Sequence, residues 1–328
     1  MKRATNALKI ISSFYISRIL RKPITWGMPI SYSIEPTNHC NLQCPECPSG
    51  LGTLTRPLGL LKNGDFKKLI DEISDTGFYI QLFFQGEPYL NKHLPAMINY
   101  AQSKNIYISI STNGHFVSDK NVDYVLDNAP DKLIFSVDGL DEESYQKYRI
   151  GGTFKQADMG LRSLINRKIE RGLQKPFVEF QFIVMKQNEH QIDDVRKYSR
   201  EVGIDKLVFK TMQISSYDNA VKFLPSNKKY RRYVLENNSF RIKNEIKNHC
   251  FALWRTSVIT WDGRVVPCCF DKDAQNEIGI VNGRAFADVW HSEKYSDFRR
   301  KILSSRKSVS MCTNCTEGLK VNIFDIEQ

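Results

Sequence analysis

Three cysteines stand on one short stretch, Cys40-Asn-Leu-Gln-Cys44-Pro-Glu-Cys47. Three soft sulfur donors at that spacing suit a metal centre. A 4Fe–4S cube has four irons, so three cysteines leave one iron open to another ligand. The loop taken alone also fits two other chemistries. Zinc could be completed by His39, giving three sulfur ligands and one nitrogen. A redox Cys-x-x-Cys would use Cys44 and Cys47 and leave the third cysteine without a role.

The other five cysteines lie beyond residue 249: Cys250, Cys268, Cys269, Cys312 and Cys315. Cys250, Cys268, Cys312 and Cys315 make one four-thiolate set, which spacing alone divides between zinc and an iron–sulfur cluster. Cys269 is the spare, expected to be a small buried hydrophobe. Trp261-Asp262-Gly263-Arg264 reads as a hairpin turn that presents Cys268 from a strand. Asp271, just beyond, is a candidate proton acceptor, although a charged turn residue is the plainer reading.

Clustered cysteines differ from the spread of a secreted disulfide scaffold. Ile10–Ile16 is too short and serine-rich for a signal-peptide core, and Arg18 and Arg21 stand where a cleavage site would need small residues. No stretch reaches transmembrane length. The expected compartment is the reducing cytoplasm.

At 328 residues with 41% hydrophobic and 25% charged, the chain can bury a core without disulfides. Its net charge is +11, with a basic run from Lys222 to Lys247. That run reads first as a solvated face and second as attraction for an anionic partner. No nucleic-acid motif with interleaved aromatics accompanies it. The first 22 residues form a basic amphipathic pattern with Leu8, Ile11, Tyr15 and Ile19 near one face. Packing of that face on the protein body is preferred over contact with a membrane surface.

Six strand-like runs must position the first cysteine loop: Ser31–Pro36, Phe78–Phe84, Ile106–Thr112, Lys132–Val137, Phe177–Lys186 and Lys206–Thr211. Helical patterns alternate with them. Leu94, Met97, Ile98 and Ala101 keep the spacing of a one-faced helix, as do Phe66, Leu69, Ile70 and Ile73 after a cap at Asn63 or Asp65. This alternation predicts a parallel α/β sheet with right-handed crossovers, six units forming an open or partial barrel. Ligands of such folds gather at the C-terminal ends of strands. There the sequence sets the cysteine loop, Gln85-Gly86-Glu87-Pro88, Thr112-Asn113-Gly114, Ser136-Val137-Asp138-Gly139 and Lys186-Gln187-Asn188. The expected organisation is a basic helical arm (1–30), the α/β core (31–212), a patternless connector (213–249) and a small cysteine-rich domain (250–328).

Together these features resemble the radical S-adenosylmethionine (SAM) superfamily, in the branch with SPASM or Twitch C-terminal domains, over roughly residues 31–316. The resemblance rests on Cys-x3-Cys-x2-Cys, Gly86-Glu87-Pro88, Thr112-Asn113-Gly114 and Ser136-Val137-Asp138-Gly139. The spacing Cys250-x12-Gly263-x4-Cys268 resembles a SPASM opening, and the single four-cysteine set is similar to the Twitch arrangement. The resemblance implies a partial (β/α)6 barrel and two 4Fe–4S clusters, one on Cys40, Cys44 and Cys47 and one on Cys250, Cys268, Cys312 and Cys315. It implies SAM near Gly86 and Glu87, with Thr112, Ser136 and Arg149 at its ribose or carboxylate. Glu46 departs from the pattern, where many members carry an aromatic beside adenine.

By that resemblance the chain is an oxidoreductase-type enzyme. It cleaves SAM to a 5′-deoxyadenosyl radical, removes hydrogen from a substrate C–H bond and passes an electron to the auxiliary cluster. A small sugar or cyclitol is the preferred substrate class. A peptide or protein side chain is the alternative, disfavoured because about thirty residues precede the first strand, few for a recognition domain. Flavodoxin or ferredoxin would be the reducing partner. A non-enzymatic metal-binding or electron-transfer protein is the rival class.

Overall fold

The computed structural model describes residues 2–243, 245–315 and the backbone of 326–327. Helix α1 (Lys2–Leu20) precedes strands β1 (Ser31–Ile34), β2 (Tyr79–Gln81), β3 (Tyr107–Thr112), β4 (Lys132–Ser136), β5 (Phe177–Val184) and β6 (Lys206–Thr211). Then follow β7 (Tyr233–Glu236), β8 (Ser239–Ile242), β9 (Thr256–Ile259), β10 (Arg264–Val266), β11 (Gly279–Ile280) and β12 (Ile326–Glu327). All six strands anticipated before residue 212 form, most of them trimmed at the ends. The helix Leu94–Ser103 buries Leu94, Met97, Ile98 and Ala101, and Asn63–Ile73 buries Phe66, Leu69, Ile70 and Ile73. The cap of the latter is Lys62 in extended backbone, making no side-chain bond, rather than Asn63 or Asp65, which already lie inside the helix.

The chain divides into two compact units. The first takes Met1–His39, Leu54–Ile108 and Asn244–Lys320; the second takes Cys40–Thr53, Ser109–Lys243 and Val321–Gln328. In the first, β1 pairs parallel with β2 on one side and with β9 on the other. The antiparallel strands β9, β10 and β11 continue outward. The cysteine-rich region thus builds on the sheet of β1. Residues 316–325 and 328 of the expected 250–328 domain lie outside the described residues.

In the second unit β3, β4, β5 and β6 pair parallel in chain order, and β12 adds antiparallel to β6. The central runs, such as Leu133-Ile134-Phe135, are buried, as strands covered on both faces require. The segment expected to be a patternless connector holds a helix, Tyr217–Phe223, and the β7–β8 hairpin. Its basic side chains bond locally: Arg241 to Glu236, Arg232 to Thr211.

Helix α1 packs on its unit, but through the opposite face from the one anticipated. It buries Asn6, Ile10, Ser13, Phe14 and Ser17 and exposes Leu8, Ile11, Tyr15 and Ile19. The reason is polar. Asn6 bonds both backbone groups of Met28, and Ser17 bonds both of Ile24, so the buried face serves the backbone of residues 24–28. Phe14 fills the rest against Phe251 and Trp254.

Candidate functional site: two groups of cysteines

Two short segments of the first unit form a neck at the base of the first cysteine loop. Buried Glu35 and Arg56 form a bidentate ion pair, and Trp261 N–H donates to the same carboxylate. Thr37 Oγ1 donates to Gly59 O, Asn38 Nδ2 to Pro57 O, and Gly59 N–H to Asn38 Oδ1. These bonds close residues 35–38 on 56–60, so the chain between leaves and returns at one fixed place.

Within the second unit Cys44 is buried, while Cys40 and Cys47 are half-buried; none of the eight cysteines is in a disulfide. Cys47 N–H donates to Cys44 O at 3.1 Å, and Cys47 is the cap of the short helix Pro48–Leu51. Gly50 lets that turn close: a Cβ there would stand 2.7 Å from Cys44 N. Arg149 places Nη1 4.0 Å from Cys44 Sγ while its Nε and Nη2 clasp Asp138 at 2.7 and 2.6 Å. Burial pushes the Cys44 thiol up and the Arg149 charge opposes it. Burial likewise raises the Asp138 carboxyl, against the pull of Arg149 and of Ile183 N–H. Asn113 Nδ2 reaches Asn41 Oδ1 at 2.8 Å, tying the turn after β3 to the loop. Thr112 caps that turn through Gly114 N–H, and Ser136 Oγ lies 3.2 Å from Ser111 Oγ. His115 accepts from Thr153 N–H through Nε2, which leaves the proton on Nδ1 facing Asn113 O.

In the first unit Gly86 has φ +76, and a Cβ would meet His39 O at 2.5 Å and Thr37 O at 2.6 Å. Only glycine permits that approach. Glu87 is buried; its N–H donates to His39 O at 2.8 Å and its carboxylate accepts from Tyr89 N–H at 3.3 Å. Gly86 and Glu87 thereby pack on Thr37–His39, the lead into the loop.

Also in the first unit, Cys250, Cys312 and Cys315 are buried and Cys268 stands two residues beyond β10, in a turn rather than on the strand. The anticipated hairpin is present, closed by Gly263 at φ +82. The Cys268 thiol is held well up, first by the hydrogen bond with Cys269, then by burial, with Cys315 and Cys250 adding to it. Buried Arg306 enters this group: Nη2 lies 3.4 Å from Cys315 Sγ, Nη1 bonds His249 O, and its charge feels Cys250, Cys315 and Cys312.

One further expectation changes. Cys269 is exposed rather than buried, because the turn after Cys268 points it outward. Asp271 accepts from Gln275 N–H and Asn276 N–H on separate oxygens and so holds its own turn. Glu46 accepts from Asn219 Nδ2 at 2.7 Å. Arg306, Asn41 and the Asp138 carboxylate were not singled out from sequence. Asp138 sat inside a quoted motif, but a lone Arg six residues before Cys312 carries no readable signal.

Among the described residues no three Cys, His, Asp or Glu side chains close on a single metal ion. The donor chemistry is the test of fit. The C-terminal group offers only sulfur, with a buried guanidinium facing it. That is the counter-charge a thiolate-bound, anionic cluster calls for in a low-dielectric site. The loop offers three thiols of its own, also fitting such a group.

Residues 34–198 match the Radical SAM superfamily and residues 250–316 match SPASM, an iron–sulfur cluster-binding domain. The chain belongs to the radical SAM superfamily. Its cofactors are therefore SAM and a 4Fe–4S cluster, with auxiliary iron–sulfur chemistry from the SPASM-type region. A tungsten-containing aldehyde ferredoxin oxidoreductase cofactor-modifying protein of Pyrococcus furiosus is 24% identical, covering 86% of each chain. A PqqA peptide cyclase of Rhodopseudomonas palustris is 23% identical over 84% of this chain and 77% of its own. Among solved structures, BtrN in complex with AdoMet and 2-DOIA has a TM-score of 0.57 at 18% identity, covering 90% of this chain and 95% of that one. Streptococcus suis SuiB bound to S-adenosylmethionine has a TM-score of 0.63 at 15% identity, covering 95% and 76%. No helix among the described residues is long and apolar enough to cross a membrane.

Proposed function

We propose that Cys40, Cys44 and Cys47 hold the SAM-cleaving cluster, that Cys250, Cys268, Cys312 and Cys315 hold one auxiliary 4Fe–4S cluster, and that the enzyme oxidises a small molecule. Bound there, SAM and its cluster supply a hydrogen-abstracting 5′-deoxyadenosyl radical, and the auxiliary cluster supplies an outlet for one electron. This chain's residues do the positioning. Arg149, held by Asp138, keeps a charge-assisted donor at Cys44. Glu87, on a turn that only Gly86 can make, is the candidate partner of the SAM amino group; Thr112 and Ser136 are candidates for its ribose or carboxylate. Arg306 holds positive charge at the C-terminal thiols. A flavodoxin or ferredoxin would supply the reducing electron.

The observation that carries this reading is that buried Arg306 reaches Cys315 Sγ at 3.4 Å and faces Cys250 and Cys312, while Cys268 feels Cys250 and Cys315, although the outermost of these cysteines are 65 residues apart in sequence. A small molecule is favoured because the cofactor-modifying relative and BtrN, solved in complex with 2-DOIA, both align with this chain over most of their own length. A peptide substrate is the second reading, favoured by the PqqA peptide cyclase and by SuiB solved with its precursor peptide SuiA. Fractionated cell extract separates them. With reduced enzyme and SAM, a metabolite fraction should raise 5′-deoxyadenosine release above the uncoupled rate. Stimulation by the peptide fraction alone would move the assignment to a maturase.

A further inference from the structure

The outer face of α1 combines apolar exposure with positive charge. Leu8, Ile11, Tyr15 and Ile19 lie along one stripe and Leu20 closes it; Leu8 and Ile19 are 66% and 77% exposed. Trp26, in the segment after the helix, is 52% exposed. A helix that merely covers the body turns its aliphatic side chains inward. Here the inward face is already complete: Asn6 and Ser17 are bonded to Met28 and Ile24, and Phe14 packs at a tilt on Phe251 and edge-on to Trp254. Arg3 fixes the N-terminal end by donating to the carbonyls of Ser74, Lys104 and Asn105. The aliphatic stripe is left over.

Charge selects what covers it. The first 34 residues contain Lys2, Arg3, Lys9, Arg18, Arg21 and Lys22 and no Asp or Glu. Lys9, Arg18, Arg21 and Lys22 are exposed around the stripe, and among the described residues none of these four makes an ion pair. From Leu8 to Leu20 the stripe runs roughly 18 Å along the helix, at about 1.5 Å per residue. Aliphatic residues with Tyr15 among them, Trp26 beyond the helix and basic residues beside them match the interfacial region of a lipid leaflet. The helix is fixed to a folded body along its other side, so it would lie in the interface, not cross it.

We infer that α1 docks this enzyme, through Leu8, Ile11, Tyr15, Ile19 and Leu20, on an anionic lipid surface. This rests on the helix alone and is independent of the cluster assignment. The test is co-sedimentation of the full-length protein with vesicles of phosphatidylglycerol mixed into phosphatidylcholine, against vesicles of phosphatidylcholine alone. Binding to the mixed vesicles should be about tenfold or more tighter and should weaken with salt. The variant L8E/I19E should lose that binding while keeping its melting temperature and iron content, since both side chains face solvent. Arg18→Gln with Lys22→Gln should weaken it without abolishing it. Equal or no binding to the two vesicle types would overturn the inference. So would undiminished binding by L8E/I19E, or light scattering showing that L8E/I19E converts a dimer to a monomer. That last result would assign the stripe to a second copy.

Discussion

The two cysteine groups sit in opposite electrostatic settings. At the first loop the nearby guanidinium, Arg149, is shared with a buried carboxylate, Asp138, so the pair brings little net charge to Cys44. At the C-terminal group Arg306 donates to a sulfur and to a backbone carbonyl, and its charge is turned on Cys250, Cys312 and Cys315. A cation beside an anionic cluster stabilises its reduced form. With clusters bound as proposed, the C-terminal site would be the better electron acceptor and the loop site the better donor. The groups differ in construction too. The loop brings three thiols from eight consecutive residues, closed at a neck by Glu35 and Arg56, whereas the C-terminal site is assembled by the fold.

The sharpest break between the two sites is Cys44→Ala. SAM cleavage to 5′-deoxyadenosine under dithionite should fall to background, while the C-terminal site keeps its iron. Loss of both clusters together would show that the sites are not separate. Next comes the charge itself. Arg306→Gln should lower the potential of the auxiliary cluster by on the order of 100 mV, taking Coulomb's law at an effective dielectric of about 20. Arg306→Lys should recover part of the shift in a redox titration followed by electron paramagnetic resonance. An unchanged potential in both variants would leave Arg306 a purely structural role.

The Glu87 turn should show a smaller effect. Glu87→Ala should weaken SAM binding by roughly 1–3 kcal/mol if the carboxylate meets the SAM amino group. Glu87→Gln, which still accepts from Tyr89 N–H, separates loss of charge from loss of the turn. Unchanged affinity in both would reject the contact. Smallest is a pH effect at His115, whose pKa is lowered, first by burial. The unfolded chain then binds the proton more readily. His115 therefore contributes stability above about pH 6.5, and that contribution is lost as the pH falls below it. His115→Gln should flatten that part of the stability profile in denaturant titrations.

Much of this was legible because periodicity and turn chemistry are local. Leu94, Met97, Ile98 and Ala101 announced both their helix and its buried face, and each polar cluster after a strand marked a site loop. Helix α1 runs against its apolar pattern because its buried face is half polar. Asn6, Ser13 and Ser17 are buried to bond backbone or fit closely, so the more apolar stripe faces outward. The connector shows no pattern in sequence because β7 and β8 are held by each other and by local Arg–Glu pairing rather than by an apolar repeat. Arg306 was invisible because its meaning comes from cysteines brought together in three dimensions.

The central proposal is two electrostatically distinct clusters. The direct measurement is iron, acid-labile sulfide, zinc and 5′-deoxyadenosine on anaerobically reconstituted wild type and the double variant C312A/C315A. About eight irons are expected in the wild type and about four in the variant. The variant should keep substrate-free SAM cleavage and lose substrate turnover. About four irons with one zinc in the wild type, and a variant that misfolds, would make the C-terminal site a structural zinc clip and contradict it.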